Sequence, residues 1–400
     1  MENFISRWFR TSGPKHEQKS ATSFVSLYGA GQADWRGRSY ARLTRNGYAR
    51  NPVARRSISL IAQSAARVPL VVDMQGERAS NHPVLDLLTA PNPTCAGPEM
   101  IEEAFAHLML NGNAFVELIK VGDDRFQLYL LRPDRVTPIV DGDGWIKAYD
   151  YKVGGKKRRI TPSSANPKPL IHLREIHPLN DHFGHAPIEA AMDAIDTHNK
   201  ASEWHKALLD NAARPSGALV YSADAGSLTH EQFTRLKEEL NASFQGAGNA
   251  GRPMVLEGGL DWKSLSMSPR DMDFIETKNA AARDIAMAFG VPPMLLCLAG
   301  DNTYANYKEA NRAFWRQTMI PQMVKLCAVF TRDLKAIFPG DWRLVPNFEA
   351  IEAIADERLV NWSTIDTLQT LTEAEKRNLF GLPPQHLKHT DLQNEGPRED

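Results

Sequence analysis

Apolar residues in the first quarter of the chain recur every three or four positions, a spacing typical of amphipathic helices. One such run begins after Asn51-Pro52; its apolar positions are Ala54, Ile58, Ile61, Ala65 and Val68. Asn51 can cap the free amides of the first turn, and Pro52 suits that turn because its missing N–H would have no partner there. Similar signals predict helices at 82–88 and from Pro98 to Gly112.

From Ala114 onward, apolar and polar residues alternate, which predicts β-strands. The predicted strands are 115–119, 126–130, 136–140, 145–153 and 171–173. Turn residues connect the first predicted strand to the second, at Gly122-Asp123-Asp124, and the third to the fourth, at Asp141–Gly144. We therefore expect an antiparallel meander and an α+β fold rather than an alternating β/α one.

Helical spacing returns after Pro187. It predicts helices at 187–211, at 271–289 and, longest of all, at about 308–338. Pro321 falls in the middle of the last one. Since proline removes a hydrogen bond and clashes with the preceding turn, we expect a kink there; the alternative is a straight helix that carries the proline in a groove.

A small separate unit is predicted at 213–265, between the first two of these helices. It contains a strand at 217–221, a capping box from Thr229 to Gln232 and a glycine-rich loop at 246–251. A second capping box, from Thr372 to Glu375, starts a short helix near the end of the sequence.

Composition places the chain among multidomain globular proteins. It has 400 residues, 42% hydrophobic and 24% charged, with a net charge of −1. Such a balance excludes global disorder and argues against tight binding of nucleic-acid phosphates. The charge is uneven, however: residues 1–70 carry 12 basic and 3 acidic residues, and residues 348–400 carry 5 and 11. Either these are solvated tails or they face different partners.

Targeting signals and disulfide patterns are not apparent. Residues 1–50 are expected to form a flexible arm, with no apolar segment of a signal peptide at its start. No stretch approaches 18 apolar residues, so no membrane span is expected. The cysteines, Cys95, Cys297 and Cys327, are far apart, which favours reduced, mostly buried thiols in the cytosol.

Motifs for catalysis or cofactors fail on context. The GxGxxG at 246–251 follows a helix and precedes a strand, the reverse of a dinucleotide site. The basic run 154–159 is expected at a hairpin tip, as a solvated turn or, less favoured, a DNA contact, and it cannot act as a P-loop. Asp141–Gly144 lacks the ligand spacing of a calcium loop. His182 and His185 lack the companions of a zinc site. We expect no cofactor, metal or catalytic residue.

The order and spacing of several short blocks, taken together, resemble the portal proteins of tailed bacteriophages, specifically the long-tailed siphophage-type family that includes gene-transfer-agent portals. The residues that carry the resemblance are Val53–Leu70, His82-Pro83, Leu87-Leu88, Pro91-Asn92-Pro93, Leu110–Phe115, Leu131-Arg132-Pro133, Val136, Gly184–Ile188, Phe274-Ile275-Glu276, Ile285-Ala286, Phe289–Pro293, Tyr304–Asn306, Arg312–Phe314, Pro321 and Leu371–Pro384.

The resemblance implies a multidomain subunit of a ring, usually a dodecamer, at one vertex of a capsid. The implied parts are the N-terminal arm (1–50), a wing (51–186, completed by 308–360, which includes the long kinked helix), stem helices (187–212 and 266–290), a clip (213–265), a tunnel loop (291–307), and a helical crown with an acidic tail (361–400). The clip would meet the terminase motor and the connector, and the crown would face the capsid interior.

The resemblance also implies functional positions. Those of the tunnel loop that would line the DNA channel are Asp301, Asn302, Thr303, Tyr304 and Asn306. The clip positions that would touch the connector are Asn249 and Arg252. The structural pivots would be Gly290, Pro292, Pro293 and Pro321. Because a conduit must let duplex DNA slide, a near-neutral chain with a polar, weakly charged loop suits this role.

The implied partners are other copies of the chain, double-stranded DNA without sequence preference, the terminase large subunit, the head–tail connector and the major capsid protein, with no membrane. The particle would assemble in the cytoplasm of a bacterial host. The basic arm would pack on neighbours or connector surfaces, and the acidic crown would repel the packaged genome. An oligomeric adaptor or scaffold of a phage-like particle without a DNA channel is the alternative. A nuclease or motor subunit would need a carboxylate cluster or a P-loop, and the sequence shows neither.

Overall fold

The computed structural model describes residues 40–122, 125–161, 167–210, 217–221, 260–264, 274–298 and 304–354, with single positions within 229–238 and 372–376. The α-helices are α1 (Tyr40–Arg42), α2 (Pro52–Ala66), α3 (Pro83–Thr89), α4 (Gly97–Asn111), α5 (Pro187–Ala190), α6 (Met192–Asp210), α7 (Phe274–Ala288), α8 (Tyr304–Phe314) and α9 (Ile320–Leu334). The strands are β1 (Leu70–Met74), β2 (Glu77–Ala79), β3 (Asn113–Val121), β4 (Arg125–Leu131), β5 (Val136–Val140), β6 (Ile146–Val153), β7 (Lys156–Ile160), β8 (Leu170–Arg174), β9 (Gly217–Tyr221), β10 (Leu260–Ser264) and β11 (Arg343–Pro346).

Helix ends in the first quarter lie where the sequence supplies capping groups. The Asn51 side chain accepts hydrogen bonds from the amides of Val53 and Ala54, each at 3.0 Å, so α2 begins as predicted. Gly112 ends α4 with φ +73°, a left-handed conformation that costs glycine little. The predicted capping box of Thr229 and Gln232 is confirmed by reciprocal hydrogen bonds.

The strands form small antiparallel sheets, and the mixture of helix and sheet confirms the predicted class. The expected single meander is wrong. Strand β8 returns to pair with β3, giving the order β4-β3-β8, while β5-β6-β7 forms a separate sheet. The two sheets share a small apolar core around Phe115, Tyr149 and Ile160. Burial of these side chains between two sheets explains why the chain does not continue as one.

The main core lies among α2, α4, α7 and the α8–α9 helix, and it includes the fully buried Ile58, Phe105, Phe314 and Phe330. Strand β11, which sequence reasoning missed, closes this core by pairing antiparallel with β1, from Leu70 opposite Pro346 to Asp73 opposite Arg343. The pairing joins the first and last parts of the described body directly.

The predicted long helix is interrupted where proline was expected to disturb it. The chain is α-helical from Tyr304 to Phe314, π-helical from Trp315 to Met319, and α-helical again to Leu334. The Ile320 amide donates to the Trp315 carbonyl, five residues back, and Pro321 follows with no amide to donate. A widened turn therefore precedes the proline and absorbs its missing hydrogen bond.

Residues 40–49 correct the prediction of a flexible arm that extends to position 50. After α1 they form a π-helical segment, Leu43–Ala49, in which Leu43 and Gly47 are buried. Asn199 of α6 donates to the Asn46 carbonyl at 3.0 Å, and Arg50 pairs with Glu203. This part of the arm is thus attached along one side of α6. Residues 1–39 lie outside the described residues.

Candidate functional site

The structure describes two of the five predicted channel residues and not the other three. Asp301, Asn302 and Thr303 lie outside the described residues, as do the predicted clip positions Asn249 and Arg252. Tyr304 and Asn306 lie in the first turn of α8, so the helix begins at Tyr304, inside the range 291–307 that was expected to be loop. What the structure does place is the base of the predicted tunnel loop, at 290–298.

Gly290 ends α7 in a glycine-dependent turn. Its φ is +66°, its amide donates to the Met287 carbonyl at 2.9 Å, and the Val291 amide donates to the Ala286 carbonyl at 2.9 Å. These two bonds are those of a Schellman motif, in which a left-handed residue closes the helix. The turn fixes the direction in which the chain leaves α7.

The two prolines that follow hold the next residues in a short 3₁₀ turn, Pro293–Leu296. Leu295 donates to the Pro292 carbonyl at 3.0 Å, and Leu298 donates to the Pro293 carbonyl at 3.3 Å. Val291 and Leu295 are buried in the main core. The base of the predicted loop is therefore packed and hydrogen-bonded up to residue 298.

A threonine that sequence reasoning missed links this base to the interrupted helix. The Thr318 hydroxyl, in the π-helical segment, donates to the Gly290 carbonyl at 2.6 Å. Two of the predicted pivots, Gly290 and Pro321, are thereby brought together, because Thr318 lies three residues before the proline. A threonine side chain inside a helix can hydrogen-bond to a backbone carbonyl. The presence of Thr318 in a predicted helix was therefore the one sequence signal for this contact.

The two predicted stem helices pack against each other, α6 against α7. The expected continuous helix at 187–211 is broken at Ala191, between α5 and α6. His198 of α6 is buried near Lys278 of α7; burial, then the lysine charge, lowers the pKa of this histidine. Both effects favour the neutral imidazole, and the Asn51 amide nitrogen lies 3.3 Å from its Nδ1.

The basic run at 154–159 forms a solvated hairpin tip, as predicted: Gly154 and Gly155 make the turn, and the basic residues 156–159 are exposed on β7. Arg158 makes a two-pronged ion pair with the buried carboxylate of Glu117, with one contact at 2.6 Å. Arg159 bonds the Asp150 carboxylate at 3.0 Å and lowers its pKa. These basic side chains pair with carboxylates of the fold while staying exposed, and a DNA contact by the run stays a prediction.

Among the described residues, no three His, Cys, Asp or Glu side chains lie close enough together to hold a metal ion. His177 and His185 stack edge to face with ring centres 5.3 Å apart, and Asp141 accepts from the Trp145 amide in a tight turn.

Cys327 is buried, whereas Cys297 is exposed, against the expectation of mostly buried thiols. None of the helices described here is both long and apolar enough to cross a bilayer.

Comparisons with known proteins agree with this architecture. The family model described as phage portal protein matches residues 52–381. A protein of Rickettsia bellii is 40% identical over 340 residues, 84% of this chain and 88% of its own length. The probable portal protein of Streptomyces phage phiC31 is 27% identical over 320 residues, 77% of this chain and 69% of its own.

Solved structures give the same result. A chain from the neck of an empty gene transfer agent particle, with sixfold symmetry, has a TM-score of 0.74 and 46% identity, covering 92% of this chain and all of that one. A chain from the neck of the native particle, with twelvefold symmetry, has a TM-score of 0.70 and 45% identity, covering 90% and 98%.

Proposed function

This chain belongs to the phage portal protein family, and we propose that copies of it form a ring-shaped channel at one capsid vertex, through which double-stranded DNA is packaged and later ejected. It is a portal protein of a phage or gene-transfer-agent particle, and proteins of this family are structural rather than enzymatic. The observation that carries the proposal is the match to a chain in the neck of a gene transfer agent particle, over the whole of that chain.

The partners follow from this position. We propose a ring of twelve copies, supported by the twelvefold symmetry of the similar neck. The ring would contact the major capsid protein, receive the terminase large subunit during packaging, and bind the head–tail connector afterwards. It would assemble in the cytoplasm of a bacterial host and remain at the capsid vertex of the virion.

The electrostatics suit a conduit. Every phosphate neutralised by a lysine or arginine adds counterion-release free energy, so a strongly basic channel would hold DNA in place. The proposed lining, around Asp301, Asn302 and Thr303, is polar and carries one acidic residue. Arg158 and Arg159 are paired with carboxylates of the fold, which reduces the basic charge that the wing presents to DNA.

The described base of the loop supports a mechanical role for Gly290 and Pro321. The described base of the loop ends at residue 298 and α8 begins at Tyr304, and the Thr318–Gly290 hydrogen bond connects the start of this base to the π-helical segment. A shift of the α8–α9 helix would therefore pull on the end of α7 rather than on the loop alone. π-Helical turns inside α-helices frequently occur at functional sites.

The ring and its channel can be tested separately. Electron microscopy of the purified protein is expected to show rings with a central hole; closed discs without a hole would instead support the adaptor alternative. In a packaging assay that measures nuclease-protected DNA, the double variant Asn302→Lys/Thr303→Lys is expected to slow packaging, because each new ammonium group can hold a phosphate.

The matched control is Thr89→Lys/Ala90→Lys, which adds the same charge at the exposed end of α3. Packaging by this control is expected to proceed at the wild-type rate. Equal rates for wild type and the loop variant would contradict the placement of residues 301–303 in the channel.

A further inference from the structure

The turn between β5 and β6 presents a tryptophan to solvent. Trp145 is 69% exposed. The turn behind it is tightly bonded: one Asp141 carboxylate oxygen accepts from the amides of Asp143 and Trp145, at 3.1 and 2.9 Å, and the Asp141 amide donates to the Trp145 carbonyl at 2.8 Å. Because the turn is already ordered, docking it onto a partner costs little conformational entropy.

The chemistry of this turn defines what it can bind. Tryptophan is among the residues that most often anchor protein interfaces, where it fills an apolar depression. Asp141 and Asp143 are both exposed beside it. The matching surface is therefore apolar and bordered by basic side chains.

A surface of that kind lies on the outer side of α9. Its exposed positions follow the helical repeat and are Pro321, Val324 and Ala328, which we call the outer stripe. Val324 is 49% exposed. The neighbouring Lys325 reaches the Glu175 carboxylate at 3.0 Å, which brings the chain after β8 next to the stripe.

Two further features complete the match. Ile176, directly after Glu175, is 85% exposed and extends the apolar surface beyond the helix. The stripe ends in two exposed basic residues: Arg332, in the last turn of α9, is paired with the Asp333 carboxylate, and Lys335 lies just after the helix. An apolar surface with the Lys335 ammonium at its end thus lies on the same chain as an apolar anchor flanked by carboxylates.

We propose that the Trp145 turn of one copy docks onto the outer stripe of the next copy around the ring. The inference rests on the ring proposed above. A ring of identical subunits needs two different, complementary surfaces on each subunit, since contact between like surfaces stops at a dimer. The Trp145 turn and the outer stripe differ from each other and match in polarity and charge.

The test uses two variants of the full chain, each with one altered surface. Trp145→Ala removes the anchor, and Val324→Arg places a charge in the stripe. Each alone is expected to raise the concentration needed for ring assembly at least tenfold, as measured by mass photometry. Met74→Ala, an exposed apolar residue at the β1–β2 turn, is the control and is expected to assemble normally.

Mixing the two variants identifies the contact. Each retains the surface that the other lacks, so an equimolar mixture is expected to give dimers and no rings. Dimer formation also shows that both variants are folded. Absence of dimers from the mixture, or normal rings from Trp145→Ala, would overturn the inference. Failure of the wild-type protein to form rings would instead overturn the proposed function itself.

Charge exchange provides an independent check. Asp143→Lys and Lys335→Glu are each expected to weaken assembly, since each places like charges across the contact. The two changes combined in one chain restore opposite charges at every contact and are expected to recover assembly. A combined variant weaker than both single ones would contradict the pairing.

Discussion

Replacing Gly290 with alanine is expected to loosen the junction between α7 and the base of the predicted tunnel loop. The residue has φ +66°, and an alanine Cβ there would lie 2.9 Å from the Thr318 hydroxyl oxygen. The left-handed conformation costs a non-glycine residue about 1–2 kcal/mol. Displacement of the hydroxyl breaks its hydrogen bond to the Gly290 carbonyl, which adds about 1 kcal/mol. We therefore expect a total cost of about 2–3 kcal/mol.

Gly122→Ala is the matched control, because Gly122 has φ +71° and nothing within 4 Å of the added carbon. It is expected to cost only the backbone strain, about 1–2 kcal/mol. Thr318→Ala alone loses the hydrogen bond, at about 1 kcal/mol. Because Gly290→Ala has already lost that bond, the double variant Gly290→Ala/Thr318→Ala is expected to cost no more than Gly290→Ala by itself.

Hydrogen exchange of the unassembled protein measures these costs locally. The relevant amide is that of Val291, whose exchange requires the turn at the end of α7 to open. The opening free energy is expected to fall by the amounts above in the Gly290 and Thr318 variants and to stay unchanged in Gly122→Ala. Strictly additive effects of Gly290→Ala and Thr318→Ala would refute the reasoning, since they would show that the two groups do not interact.

Three further outcomes are expected. Asn51→Ala removes the cap of α2 and should lower the unfolding free energy by about 1–2 kcal/mol, seen as a lower thermal midpoint. Arg159 lowers the pKa of Asp150, so the ionised carboxylate stabilises the fold at pH values above its ordinary pKa. This stabilisation is lost as the pH falls through the lowered pKa. In urea titrations, the difference in unfolding free energy between wild type and Asp150→Asn should therefore shrink toward pH 3. Burial raises the pKa of Cys327 to about 12, so at pH 8 a maleimide should label Cys297 and leave Cys327 unmodified until the protein unfolds, as read by peptide mass spectrometry.

Features that depend on neighbouring residues could be predicted from the sequence. Asn51 and Gly112 determine helix ends through hydrogen bonds and dihedral angles within a few residues, so their types and spacing are sufficient signals. The same holds for the interruption before Pro321, although the sequence did not indicate that a π-helical turn would form it.

Features that depend on distant partners could not be predicted in this way. Glu117 and Arg158 lie 41 positions apart, and only the packing of two sheets shows that the arginine neutralises a buried carboxylate. Thr318 gave no sign that its partner was Gly290, 28 positions earlier. The predicted channel positions 301–303 and clip positions Asn249 and Arg252 stay predictions, since they lie outside the described residues.

The pairing of β1 with β11 has a consequence for how the chain is made. Leu70 pairs with Pro346, so strand β11 cannot join the hairpin of β1 and β2 until all of the intervening sequence has left the ribosome. At roughly 5–20 residues per second, that delay is about 14–55 s. During this interval one edge of β1 has no partner strand, and an unpaired strand edge can associate with another chain, so the nascent subunit is open to misassembly until β11 has been made.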